Sequence, residues 1–153
     1  MDAAKIETLR AGRTPIYEPH MEELLALASD HLRFTTDYVE AVPDASVVFI
    51  AVGTPSQPDG SPDLSYVSAA AHSIGTHLGD AFTVVVNKST VPIGSGNWVD
   101  AIVRDTYEQT RGHRANEAFS VASNPEFLRE GAAIADTLYA ERLSVPPFGR
   151  YSA

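Results

Sequence analysis

Apolar residues recur along this chain in two alternating rhythms. Val47-Val48-Phe49-Ile50-Ala51-Val52 and Val84-Val85-Val86 are unbroken runs with no polar position to turn toward water. They predict strands of a parallel sheet covered on both faces. With their flanks they give strands over residues 32–35, 46–52, 82–86 and 119–122. Elsewhere the spacing is helical. Ile6 and Leu9 share a face before Gly12, and Met21, Leu24, Leu25 and Ala28 line a helix over 20–29. Leu64, Val67, Ala71, Ile74 and Leu78 line one over 63–78 that opens on a candidate Asp63 cap, and Val99, Ile102 and Val103 line one over 96–109. The alternation predicts an open α/β sheet, whose ligands bind beyond the carboxyl ends of the strands.

Composition narrows the setting. At 153 residues with 44% hydrophobic positions, the length suits one domain that buries a sizeable core. A net charge of -9 speaks against a surface for nucleic acid. With zero cysteines, disulfides, thiolate metal sites and thiol catalysis are excluded within these residues. The longest apolar run, Val47 to Val52, falls far short of the roughly 20 residues that span a bilayer, and the first residues lack a basic stretch followed by an apolar one. No membrane is expected, and the cytoplasm is the expected compartment.

Candidate chemistry sits where the strands end. Gly53-Thr54-Pro55-Ser56 reads either as a cofactor-edge loop, with Gly53 permitting close backbone approach, or as an ordinary turn. Asn87-Lys88-Ser89-Thr90-Val91-Pro92-Ile93-Gly94 offers hydroxyls and amides to an anion at a helix start, or simple capping by Ser89, Thr90 or Ser95. After 122 comes Ser123-Asn124-Pro125-Glu126-Phe127-Leu128-Arg129-Glu130-Gly131. Here Glu126 and Glu130, four apart, would share a helical face beside Arg129, serving acid/base work or merely a helix's first turn. The five histidines show no metal-binding spacing, so no metal is expected.

Taken in order, these segments resemble the amino-terminal NAD-binding domain of the UDP-glucose/GDP-mannose dehydrogenase family. The resemblance runs from about residue 2 to 138. It rests on Gly12-Arg13-Thr14-Pro15-Ile16-Tyr17-Glu18-Pro19, Ala51-Val52-Gly53-Thr54-Pro55, Pro58-Asp59-Gly60-Ser61-Pro62-Asp63-Leu64, Lys88-Ser89-Thr90-Val91-Pro92 and Asn124-Pro125-Glu126-Phe127-Leu128-Arg129-Glu130-Gly131. It implies a Rossmann-like, doubly wound parallel sheet with NAD as cofactor and UDP-glucose as the partner small molecule. It also implies homo-oligomers among full-length relatives. By the same resemblance, Thr54, Thr90 and Glu130 match NAD-side positions, and Glu126, Phe127 and Leu128 match substrate-side ones. Thr90 and Glu126 match the positions that place water and move protons during two successive oxidations. The wording of 88–94 is nearer the UDP-glucose branch than the GDP-mannose one, with UDP-N-acetylhexosamines a further alternative.

The departures are equally specific. The family's G-x-G-x-x-G loop, the helix after it and the second strand have no counterpart in these residues, nor has its nucleophilic cysteine. His20 stands where the family often has Gly, and 139–153 diverges as a tail after a partial NAD-binding domain over 1–138. By itself this stretch is expected to be inactive. The alternative is a sugar-nucleotide-binding or assembly module, or a gene remnant. With the sheet's centre missing, weak or non-cooperative unfolding is expected.

Overall fold

The computed structural model describes residues 2–92, 94–125, 128–129 and 131–139. Helix α1, Ala3–Arg10, opens on Asp2, whose carboxylate accepts the amides of Ala4 and Lys5 at 3.0 and 3.3 Å. It closes at Gly12 (φ +70°), where the amides of Gly12 and Arg13 donate back to Leu9 and Thr8. This left-handed closure is one that glycine adopts without strain. Helix α2, Met21–Leu27, follows His20, and a 3-10 turn, Ser29–His31, continues it. The expected apolar face of α2 forms but buries nothing among the described residues, and Leu24 and Leu27 remain exposed.

Residues 32–35 do not form the expected strand. Leu32 is extended (φ -106°, ψ 134°), yet the segment pairs with no strand among the described residues. Extended backbone becomes a strand only by exchanging hydrogen bonds with a neighbour, and an apolar sequence cannot supply one.

After the short helix α3, Tyr38–Ala41, the chain alternates regularly: β1, Val47–Ile50; α4, Ser65–His77; β2, Thr83–Asn87; α5, Ser95–Arg111; β3, Phe119–Ser123; then α6, Ala133–Leu138. The strands form one parallel sheet in the order β1-β2-β3. Val48 lies opposite Val85 and Ile50 opposite Asn87, while Val85 lies opposite Val121 and Asn87 opposite Ser123. Parallel neighbours require crossovers, which α4 and α5 provide.

The described residues fall into two compact units. The first is drawn from Met1–Asp37 and Phe127–Leu143, and among its described residues Glu18 alone is buried. The second lies within Tyr38–Glu126 and holds the hydrophobic core. Val67, Ala71, Ile74 and Leu78 of α4 and its end meet Val99, Val103 and Tyr107 of α5 beneath Ile50, Val85 and Phe119 of the sheet. The helices approach closely because residue 75 has no side chain: a Cβ there would lie 2.5 Å from the Val103 carbonyl oxygen. Side chains alternate across a strand, so Val47 and Phe49 turn away from the Ile50 side and stay 46% and 59% exposed. Cover of every β1 side chain, expected from its apolar run, is therefore not found. Of the tail expected over 139–153, all but the exposed Tyr139 lies outside the described residues.

Candidate functional site

Because the three strands are parallel, the loops after β1, β2 and β3 leave the sheet at one edge. The middle loop is tied to both neighbours. On one side the buried Ser89 hydroxyl donates to the Val52 carbonyl at 2.7 Å and accepts the Val52 amide at 3.0 Å. One residue on, the Thr54 hydroxyl donates to the Thr90 carbonyl at 3.0 Å. On the other side Lys88 Nζ donates to Asn124 Oδ1 at 3.1 Å and, more weakly, to the Asn124 carbonyl at 3.4 Å. The Asn124 amide also donates to the Asn87 carbonyl at 2.9 Å, extending the β2–β3 ladder beyond the last paired residues.

Asn87 anchors the β2 loop from beneath. It is fully buried, its Oδ1 accepts the Ser89 amide at 3.2 Å, and its Nδ2 finds no acceptor among the described residues. Thr90 itself is exposed, and its hydroxyl has no hydrogen-bond partner among the described residues.

The loop after Thr54 closes on itself. Asp63 N donates to the Pro55 carbonyl at 2.8 Å and Gln57 N to the Ser61 carbonyl at 2.7 Å, around an isolated Ser56–Pro62 bridge. The Ser61 hydroxyl, then its amide, holds the Asp59 carboxyl below its ordinary range. The Ser65 hydroxyl and amide do the same for Asp63. Asp63 was expected as the first residue of α4; the helix begins two residues later, and the carboxylate meets its first amide. The hydroxyls near α5 do not cap that helix. Its cap residue is Gly94 (φ 90°), Ser95 Oγ donates to the Pro92 carbonyl at 2.8 Å, and Ser89 and the Thr90 carbonyl are engaged with the β1 loop.

In the first unit, Leu128 is 45% exposed and not helical. Arg129 is not helical either, and its guanidinium grips Asp136 at 2.6 and 3.0 Å. The Arg129 side chain holds the Asp136 carboxyl below its ordinary range. Leu128 and Arg129 belong to no helix, and α6 starts only at Ala133; the expected face shared by Glu126 and Glu130 falls on residues outside those described. Gly131, at φ +77°, is incompatible with an uninterrupted helix there. Glu126, Phe127 and Glu130 themselves lie outside the described residues. Glu18 accepts the Gly131 amide at 3.0 Å, an anchor 113 residues away in sequence.

Of the residues singled out from sequence, Thr54 and Thr90 are brought together. Lys88, Asn124 and Glu18 were not singled out for a role. The polar Asn87 that follows the apolar run Val84-Val85-Val86 was the visible signal that this strand end does more than pack. Among the described residues, no group of three His, Asp or Glu could hold a metal ion, and no helix is long and apolar enough to cross a membrane.

Residues 1–145 match the NAD binding domain of the UDP-glucose/GDP-mannose dehydrogenase family. The chain belongs to that family. It is 49% identical over 147 residues to a UDP-glucose 6-dehydrogenase of Rhizobium meliloti, covering 94% of this chain and 32% of the relative. With the UDP-glucose 6-dehydrogenase TuaD of Bacillus subtilis, identity is 44% over 144 residues, covering 93% and 30%. A UDP-glucose dehydrogenase of Pyrobaculum islandicum superposes with a TM-score of 0.80 at 45% identity, covering 94% of this chain and 33% of that one. A GDP-mannose dehydrogenase of Pseudomonas aeruginosa gives 0.76 at 38%, covering 89% and 31%. The chain therefore spans about a third of the length of the relatives it matches.

The fold is accordingly the Rossmann type of these dehydrogenases, and NAD is the family cofactor. The residues present fit one edge of such a site. A Cβ at Gly53 would meet no atom of the described residues within 4 Å, so the loop backbone beside Thr54 leaves open space there. The diphosphate-cradling G-x-G-x-x-G turn is not part of this sequence.

Proposed function

We propose that this chain supplies the NAD-edge loops and part of the sugar-nucleotide site of a UDP-glucose 6-dehydrogenase, with residues 1–138 as the partial domain and 139–153 as a divergent tail. One observation supports the reading most: the Thr54–Thr90 hydrogen bond joins two strand-end loops in a chain this similar to UDP-glucose 6-dehydrogenases. Oxidising the C6 alcohol to a carboxylate removes two hydrides and adds one water oxygen, and NAD supplies the hydride acceptor when bound. The Thr90 hydroxyl, without a partner among the described residues, holds the water or substrate hydroxyl in place, and Glu126 takes the proton released from it. By the family resemblance, Thr54 and Glu130 are assigned to the nicotinamide side, and Glu126, Phe127 and Leu128 to the sugar nucleotide. The nucleophilic cysteine implied by the family resemblance has no counterpart among these residues. Assembly into homo-oligomers and a cytoplasmic setting belong to the same proposal.

Saturation-transfer NMR on the purified protein, with UDP-glucose and GDP-mannose offered together, tests the substrate. Transfer to UDP-glucose in preference is expected; preference for GDP-mannose, or transfer to neither, overturns the reading.

A further inference from the structure

Nine arginines and two lysines make up the 11 basic residues of this chain. One lysine, Lys5, is exposed on α1. The other, Lys88, is half-buried at the carboxyl edge of the sheet. Its placement follows from register. Asn87 pairs with Ser123 across β2 and β3, so Lys88 and Asn124 are the next residues out on adjacent strands. The ammonium reaches both oxygens of Asn124, side chain and main chain. A compact ammonium with rotatable donors suits two acceptors on one residue better than the flat fork of a guanidinium does.

Thr90 lies two residues after Lys88 on the loop that leaves β2. We propose that Lys88 is a positioning residue, whose bonds to Asn124 hold the loop that carries Thr90 against the end of β3. The proposal rests on the role given above to Thr90. The Ser89 and Thr54 bonds hold the same loop against β1, so the Lys88 bonds supply the matching constraint toward β3. Lys88 touches no reacting group in this account; it acts through Asn124.

The test compares the protein with Lys88→Met, which keeps the aliphatic stem, and Lys88→Arg, which keeps the charge. Amide hydrogen exchange reads the tie itself, and titration with UDP-glucose reads the site. In Lys88→Met, faster exchange at Asn124 with unchanged exchange at Val85 is expected, together with roughly tenfold weaker UDP-glucose binding, the scale of a lost charge-assisted hydrogen bond. Lys88→Arg should recover part of both. Unchanged exchange and binding in Lys88→Met overturns the proposal, as does exchange that rises equally at Val85, which would make the lysine a general support of the fold. If the unsubstituted protein does not bind UDP-glucose, the functional reading fails by itself, while exchange at Asn124 still decides whether the tie exists.

Discussion

The hydroxyl of Ser89 both donates to and accepts from the backbone of Val52, at 2.7 and 3.0 Å. One side chain thereby satisfies the amide and the carbonyl of a residue beyond the end of β1, where the ladder to β2 has already stopped. Replacing it strands two backbone groups in a partly buried setting.

Ser89→Ala should therefore destabilise the protein by about 1–3 kcal/mol, the cost of leaving such groups unpaired. Urea denaturation with an unchanged m-value checks the figure, and faster exchange of the Val52 amide locates it. A midpoint equal to that of the parent would show that water replaces the hydroxyl at no cost.

Gly75→Ala probes the crossing of α4 and α5. The added methyl would sit 2.5 Å from the Val103 carbonyl oxygen and 2.9 Å from Thr106 Cβ, so the helices must separate. Overpacking of this kind costs about 1–3 kcal/mol, which exceeds the gain in helix propensity from replacing glycine. A lowered melting temperature is expected. A rise would mean that the crossing yields easily.

Acid should weaken the fold through three carboxylates. Ser61 holds the Asp59 carboxyl below its ordinary range, Ser65 does so for Asp63, and Arg129 for Asp136. A carboxyl depressed in the folded state adds stability above its unfolded value and loses that stability as pH falls through the folded one. Unfolding free energy should thus decline from about pH 4 downward, and the triple Asn substitution should flatten that decline. An equally steep decline in the triple variant would assign the acid sensitivity to other groups.

The strands that could be read in advance were those whose apolar content needed no partner to be recognised, such as Val84-Val85-Val86. Residues 32–35 alternate Leu32 and Phe34 with Arg33 and Thr35, yet strand formation depends on a neighbour that local sequence does not encode. Helix interiors were legible from spacing, whereas the start of α4 shifted from Asp63 to Ser65 because the carboxylate caps from outside the helix. Thr54 and Thr90 were each visible as strand-end hydroxyls. The Lys88–Asn124 tie was not, because its partners stand 36 residues apart and meet only through the β2–β3 register. His20 sits at φ 64°, a left-handed position that histidine is among the side chains to tolerate.

The loop from Thr54 to Asp63 closes on its own backbone, with the amide of Asp63 on the carbonyl of Pro55. It behaves as a bead threaded between two fixed points. Whatever happens to its tip at Pro58, Asp59 and Gly60, Thr54 stays where the Thr90 carbonyl holds it and the first turn of α4 stays on Asp63. Tip length and composition can thus drift, and new recognition can be grafted there, while the spacing of the groups on either side is inherited intact.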